Sequence, residues 1–133
     1  MYSCLFFVFA APSAPENFMA TDVQARSVSF SWSRPLSPNG NIDAYIMSYF
    51  NTTHNINLTL MAEQRMVTVE DLNEFTDYTF ELRARTGAGL GEPAIEIQMT
   101  EQAGIIQYIS VFLFALRICA SILHINFDRE LVN

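Results

Sequence analysis

Lysine is absent from this 133-residue chain, and all seven basic residues are arginine. Against them stand 14 acidic residues, for a net charge of −7. So acidic a chain repels phosphate backbones, which argues against nucleic-acid binding. Cysteine is nearly as scarce. Cys4 and Cys119 lie near opposite ends, so a folded middle must be held by its core without a disulfide. The two histidines, His54 and His124, stand far apart with no nucleophile at a suitable spacing, and no catalytic constellation is visible. No Cys/His spacing suits zinc. Three of the five glycines, Gly87, Gly89 and Gly91, fail the G-x-G-x-x-G pattern and precede a strand, so they are not a nucleotide loop. The expectation is therefore no enzyme, no metal and no cofactor.

What the chain does have is apolar residues, half of the total, with 11 phenylalanines. That composition builds a core and excludes general disorder. In its middle the apolar residues fall at a period of two. Val28, Phe30 and Trp32 alternate with serines, which is the pattern of a half-buried strand. Tyr45, Met47 and Tyr49 share one face of a second run from Ile42, with Ile46 and Phe50 on the other. Asn57–Met61 reads as a short strand, and Arg65–Val69 as another with Val67 and Val69 inward. Tyr78, Phe80, Leu82 and Ala84 alternate without a fault, and Ala94–Thr100 closes the series. Pro12-Ser-Ala-Pro15 is an extended lead-in to Phe18, because proline pins φ. Pro38-Asn39-Gly40 marks a sharp turn.

These residues carry a resemblance. Leu72, Tyr78, Phe80, Leu82 and Ala84 stand in the spacing Leu-x5-Tyr-x-Phe-x-Leu-x-Ala, followed by the Gly87–Gly91 loop. With the proline lead-in, Trp32 and the Tyr45–Tyr49 pattern, the segment 12–102 resembles a fibronectin type III domain. The resemblance implies an all-β fold: a seven-stranded, immunoglobulin-like sandwich of two antiparallel sheets. It implies a core built on Trp32, Tyr45, Met47, Tyr49, Val67, Val69, Leu72, Tyr78, Phe80 and Leu82. It also implies a tyrosine corner, with the Tyr78 hydroxyl bonded to backbone near Leu72. Where the family often has proline two residues after that leucine, this chain has Glu74. An Arg-Gly-Asp tripeptide and a Trp-Ser-x-Trp-Ser box are both missing.

Two N-glycosylation sequons, at Asn51 and Asn57, fall in the polar stretch 50–57, read as a surface loop. Glu70, Asp71, Glu74 and Asp77 crowd the corner; their spacing matches no calcium loop, and the reading is a solvated acidic turn.

The ends depart from the sandwich. Residues 1–11 read either as a signal peptide lacking a basic start or as the front of a longer chain. The segment 105–123 is mostly Ile, Leu, Phe, Val and Ala, with mean hydropathy of about 2. An apolar helix is expected over 105–125, followed by a short tail at 126–133. Nineteen helical residues span roughly 28 Å, about a bilayer's hydrocarbon thickness. Arg117 within it opposes insertion. A membrane anchor, a helix packed on the sandwich and a spurious end are the competing readings.

The functional expectation follows the resemblance: an extracellular protein-interaction or spacer module in cell adhesion or receptor signalling, on the cell surface or secreted. Its protein partner is not written in the sequence. The alternatives are a non-catalytic ectodomain fragment of a receptor-type protein tyrosine phosphatase and an intracellular structural array module.

Overall fold

The computed structural model describes residues 10–104, 109 and 111–119. The chain divides into two compact units, Met1–Glu101 and Gln102–Asn133.

The first unit is a β-sandwich of eight strands. They are β1 (Glu16–Val23), β2 (Val28–Ser33), β3 (Ile42–Phe50), β4 (Asn55–Met61), β5 (Met66–Val69), β6 (Asp77–Thr86), β7 (Gly89–Leu90) and β8 (Ala94–Met99). One sheet has the order β1-β2-β5. The other has the order β4-β3-β6, with β7 and β8 both along the far flank of β6. Every pairing is antiparallel.

Eight strands appear where seven were expected, because the last strand is broken. Its first piece, β7, stays on β6. The Gly91 amide still donates to the Ala84 carbonyl at 2.9 Å, but the Glu92 amide turns to the Pro12 carbonyl at 3.0 Å. Pro93 follows, and has no amide hydrogen for a ladder. Pairing resumes at Ala94 against Leu82.

The core lies between the sheets. Val28, Phe30 and Trp32 of β2 face Tyr45, Met47 and Tyr49 of β3 and Tyr78, Phe80, Leu82 and Ala84 of β6, and all are buried. Alternation forces this, since successive side chains of a strand point to opposite faces. Phe30 meets Phe80 across the sandwich with ring centroids 4.5 Å apart, and Trp32 meets Tyr45 edge-on at 5.6 Å. Phe18 stacks on Phe30 at 5.1 Å from the β1 side. Val69 and Leu72 are buried, whereas Val67 is only half-buried against the cluster. Val67 points inward opposite Phe30, but β5 is an edge strand and cannot be covered on its outer flank.

In β8 the alternation is kept but its apolar side faces out. β6 presents Tyr78, Phe80 and Leu82 to the core, and their partners across the ladder are Gln98, Glu96 and Ala94. Ile95, Ile97 and Met99 are therefore exposed.

In the second unit, residues 111–119 are helical and their side chains are exposed. Among the described residues no helix is long and apolar enough to cross a membrane. The rest of the proposed 105–123 span lies outside the described residues, as do residues 1–9 of the expected 1–11 segment, the 126–133 tail, Cys4 and His124.

Candidate functional site

Two regions present side chains on rigid backbone: one end of the sandwich, and the hairpin that carries the sequons. The end is built by the β2–β3 loop (34–41) and the turn from β6 to β7 (87–88). They come together because Ile42 pairs with Thr86. Gly40 adopts φ 154°, and a Cβ added there would sit 3.6 Å from Thr86 Cβ. Asn39 lies in the left-handed region at φ 50°, where asparagine is among the tolerated residues. Its side-chain amide donates to the Ala11 carbonyl at 2.8 Å. Ser13 and Ser37 exchange two bonds: the Ser13 amide donates to the Ser37 carbonyl at 2.9 Å, and the Ser37 amide to Ser13 Oγ at 3.1 Å. The loop is thereby fastened to the proline lead-in.

Across the end, Gly89 takes φ 121° to close the turn, a backbone state that glycine reaches without a Cβ penalty. Ala88 donates its amide to Thr86 Oγ1 at 3.3 Å. The outcome is a tied-down end that leaves Leu36 80% and Leu90 50% exposed, with Arg34 also exposed.

The sequon hairpin is tighter than the sequence implied. The turn occupies only residues 51–54, and β4 begins at Asn55. Asn51 and Asn57 are thus in different settings. Asn51 Oδ1 accepts three bonds, from the Thr53 amide at 2.8 Å, Thr53 Oγ1 at 3.0 Å and the His54 amide at 2.8 Å. This is an Asx turn, in which the side chain imitates a backbone acceptor. Asn57 stands exposed on β4 opposite Ser48. The stretch read as one loop ends early because Asn55, Ile56 and Asn57 pair with Phe50, Tyr49 and Ser48. His54 Nδ1 lies 2.7 Å from Thr53 Oγ1, and it belongs to this turn.

At the opposite end, the corner closes around Tyr78. The Asn73 amide donates to Tyr78 Oη at 3.0 Å, one residue from the Leu72 that the resemblance implied. The Leu72 amide donates to the Arg26 carbonyl at 3.1 Å. Thr100, which sequence reasoning passed over, completes the corner. Its Oγ1 donates to the Asn73 carbonyl at 2.7 Å and accepts from the Thr76 amide at 2.9 Å. Thr100 is 2% exposed; a threonine just past an alternating strand is the only signal that pointed to it. Glu70, Asp71, Glu74 and Asp77 are all exposed here. Among the described residues, no three His, Cys, Asp or Glu side chains gather where they could hold a metal ion.

On the outer face of the larger sheet, Arg85 Nε meets Asp43 Oδ1 at 2.7 Å and Arg83 Nη2 meets Glu81 at 3.5 Å. Such exposed pairs contribute only about 0–1 kcal/mol each. Arg83 also donates to the Gly91 carbonyl at 3.0 Å, which ties the broken last strand to β6.

Two sheets closed over an aromatic core, a tyrosine corner and tethered end loops define an immunoglobulin-like β-sandwich module. The comparisons with known proteins make the class specific. A family profile described as "Fibronectin type III domain" matches residues 13–100. The chain belongs to the fibronectin type III family. It is 34% identical over 93 residues to the Protein sidekick homolog of Caenorhabditis elegans, covering 67% of this chain and 4% of that one. It is 36% identical over 83 residues to Ephrin type-A receptor 5 of Rattus norvegicus, covering 62% and 8%. Titin of Drosophila melanogaster is 33% identical over 120 residues, covering 87% and 1%. The chain thus spans less than a tenth of each relative. Among solved structures, domains d3-d4 of the rat CD45 extracellular region match with TM-score 0.62 at 23% identity, covering 68% of this chain and 51% of that one. A redesigned beta sandwich protein matches with TM-score 0.60 at 18% identity, covering 68% and 97%. At those identities the likeness is one of fold.

Proposed function

We propose that this module acts outside the cell as a protein-interaction or spacer unit in adhesion or receptor signalling. The observation that carries the reading is the tethered end. Leu36 projects from a loop held by the Asn39–Ala11 and Ser13–Ser37 bonds, and Leu90 from β7, which pairs with β6. Large apolar side chains held out on rigid loops lose little entropy on binding. Relatives named as an ephrin receptor and a sidekick homolog support a receptor or adhesion setting. The titin match favours a second reading, a structural array module.

Glycosylation separates the two. In secreting cells, the extracellular reading expects glycans at Asn51 and Asn57. Glycosidase treatment should increase gel mobility, and Asn51→Gln with Asn57→Gln should remove the effect. A chain untouched by glycosidase counts for the array reading. Attachment through 105–123 is tested separately by carbonate extraction, where release to the supernatant removes the anchor. Binding to a cell surface should fall on Leu36→Asp or Leu90→Asp with the fold unchanged by circular dichroism. If both variants bind as the parent does, the loop end is not the contact surface.

A further inference from the structure

We propose that β8 is a self-association edge, on which a second copy of this chain pairs antiparallel about a two-fold axis through Ile97. β8 pairs with β6 on one flank, and among the described residues no strand pairs with the other. β1, in the opposite sheet, runs close beside β8, and backbone bonds from Glu92 to Pro12 and from Glu101 to Gln24 join the two segments on either side of β8, but β1 forms no ladder with it. An unpaired strand edge is a row of free donors and acceptors and a template for another chain.

The two edges of the larger sheet differ. β4 bears polar Asn55, Asn57 and Thr59 on its outer face, all exposed, with one exposed apolar residue, Met61, at its end, and Asn57 heads a sequon. β8 bears Ile95, Ile97 and Met99, which are 54%, 67% and 43% exposed. Charged residues usually guard an edge of this kind, and on the outward face of β8 there are none.

The side chains of β8 select the copy and its register. Residues directly opposite in an antiparallel pair share a face, so a two-fold axis perpendicular to the sheet must pass through a residue. Centred on Ile97, it sets Ile97 against Ile97, Ile95 against Met99 and Glu96 against Gln98. Apolar meets apolar, and the one carboxylate of the strand meets an amide. Gln98 Nε2 already donates to Glu96 of its own chain at 3.0 Å, and its second hydrogen is available for the copy's carboxylate. The neighbouring registers fail. Centring on Glu96 opposes two carboxylates, centring on Gln98 sets Ile95 against Glu101, and centring on Ile95 sets Ile97 against Pro93, which lacks a donor. The strand is complementary to itself in one register.

The test uses the full chain in a nonionic detergent, with Cys4→Ser and Cys119→Ser to remove other thiols. Opposed positions place Cβ atoms about 4.5–5.5 Å apart, near disulfide range. Under mild oxidation Ile97→Cys should cross-link to itself. Ile95→Cys alone should form no disulfide-linked dimer but should cross-link when mixed with Met99→Cys. Ile56→Cys on β4 should not cross-link. In sedimentation equilibrium the parent should dimerise, and Ile97→Lys should weaken the dimer by about a hundredfold. Ile97 is mostly exposed, so these variants leave the core intact. A parent that is monomeric at every concentration overturns the proposal and leaves the face to a different partner. Equal cross-linking at Ile97→Cys and Ile56→Cys overturns it too, as does loss of the Ile95–Met99 register.

Discussion

Gly91 rests directly on Pro12. A Cβ at Gly91 would overlap the Pro12 carbonyl oxygen and sit 2.8 Å from Pro12 Cβ. The same carbonyl accepts the Glu92 amide at 3.0 Å. Here the proline lead-in is joined to the last strand, and the contact leaves no room for a side chain.

Gly91→Ala is therefore expected to destabilise the sandwich by roughly 2 kcal/mol, in the range of overpacked sites. Gly87→Ala, with open space around its Cα, should change stability by less than about 0.5 kcal/mol. Urea denaturation of both variants is the measurement. Equal midpoints would show that the Pro12 backbone gives way freely.

Two tyrosines should respond oppositely to loss of the same oxygen. Tyr78 Oη accepts the Asn73 amide, so Tyr78→Phe should cost about 1–2 kcal/mol. Tyr45 Oη is buried without a hydrogen-bond partner among the described residues. Tyr45→Phe should be neutral or stabilise by up to about 1 kcal/mol, since a desolvated hydroxyl is removed. The Arg65 guanidinium, 5.4 Å from the Tyr45 ring centroid, keeps its ring in the variant. A costly Tyr45→Phe would disprove the assignment of that hydroxyl as unpaired.

Alkaline stability should depend on Tyr49. Burial raises its pKa above the usual 10.0, and Tyr78 and Asp71 raise it further. The folded state thus favours the neutral phenol more than the unfolded chain does. The stabilisation is complete below pH 10.0 and is lost as pH climbs through the folded pKa. Tyr49→Phe should flatten this alkaline loss. Unfolding free energies across the alkaline range, compared between parent and variant, measure it; identical slopes would rule Tyr49 out.

Phe75 sits at φ 48° and is 64% exposed. Bulky residues reach the left-handed region only at a cost of about 1–3 kcal/mol, while asparagine tolerates it. Phe75→Asn should stabilise the chain by about 1 kcal/mol, read as a rise in thermal midpoint of several degrees. A fall in midpoint would mean that the phenyl ring contributes packing that outweighs the strain.

Much of this protein was legible before any coordinates. A period of two places Val28, Phe30 and Trp32 on one face, and Tyr78, Phe80 and Leu82 on another, because a strand's side chains must alternate. The resemblance to fibronectin type III domains implied the corner within one residue of where it closes, at Asn73. Alternation alone does not say which side of a strand looks inward. For β8 that was decided by its ladder with β6, which turned Ile95, Ile97 and Met99 to the outside. The break at Gly91 depends on Pro12, some eighty residues away, and the half-burial of Val67 depends on β5 having a single neighbour. Local pattern is a property of adjacent residues and survives in the sequence. Register, edges and close approach arise only when distant segments meet, and tertiary structure alone sets them.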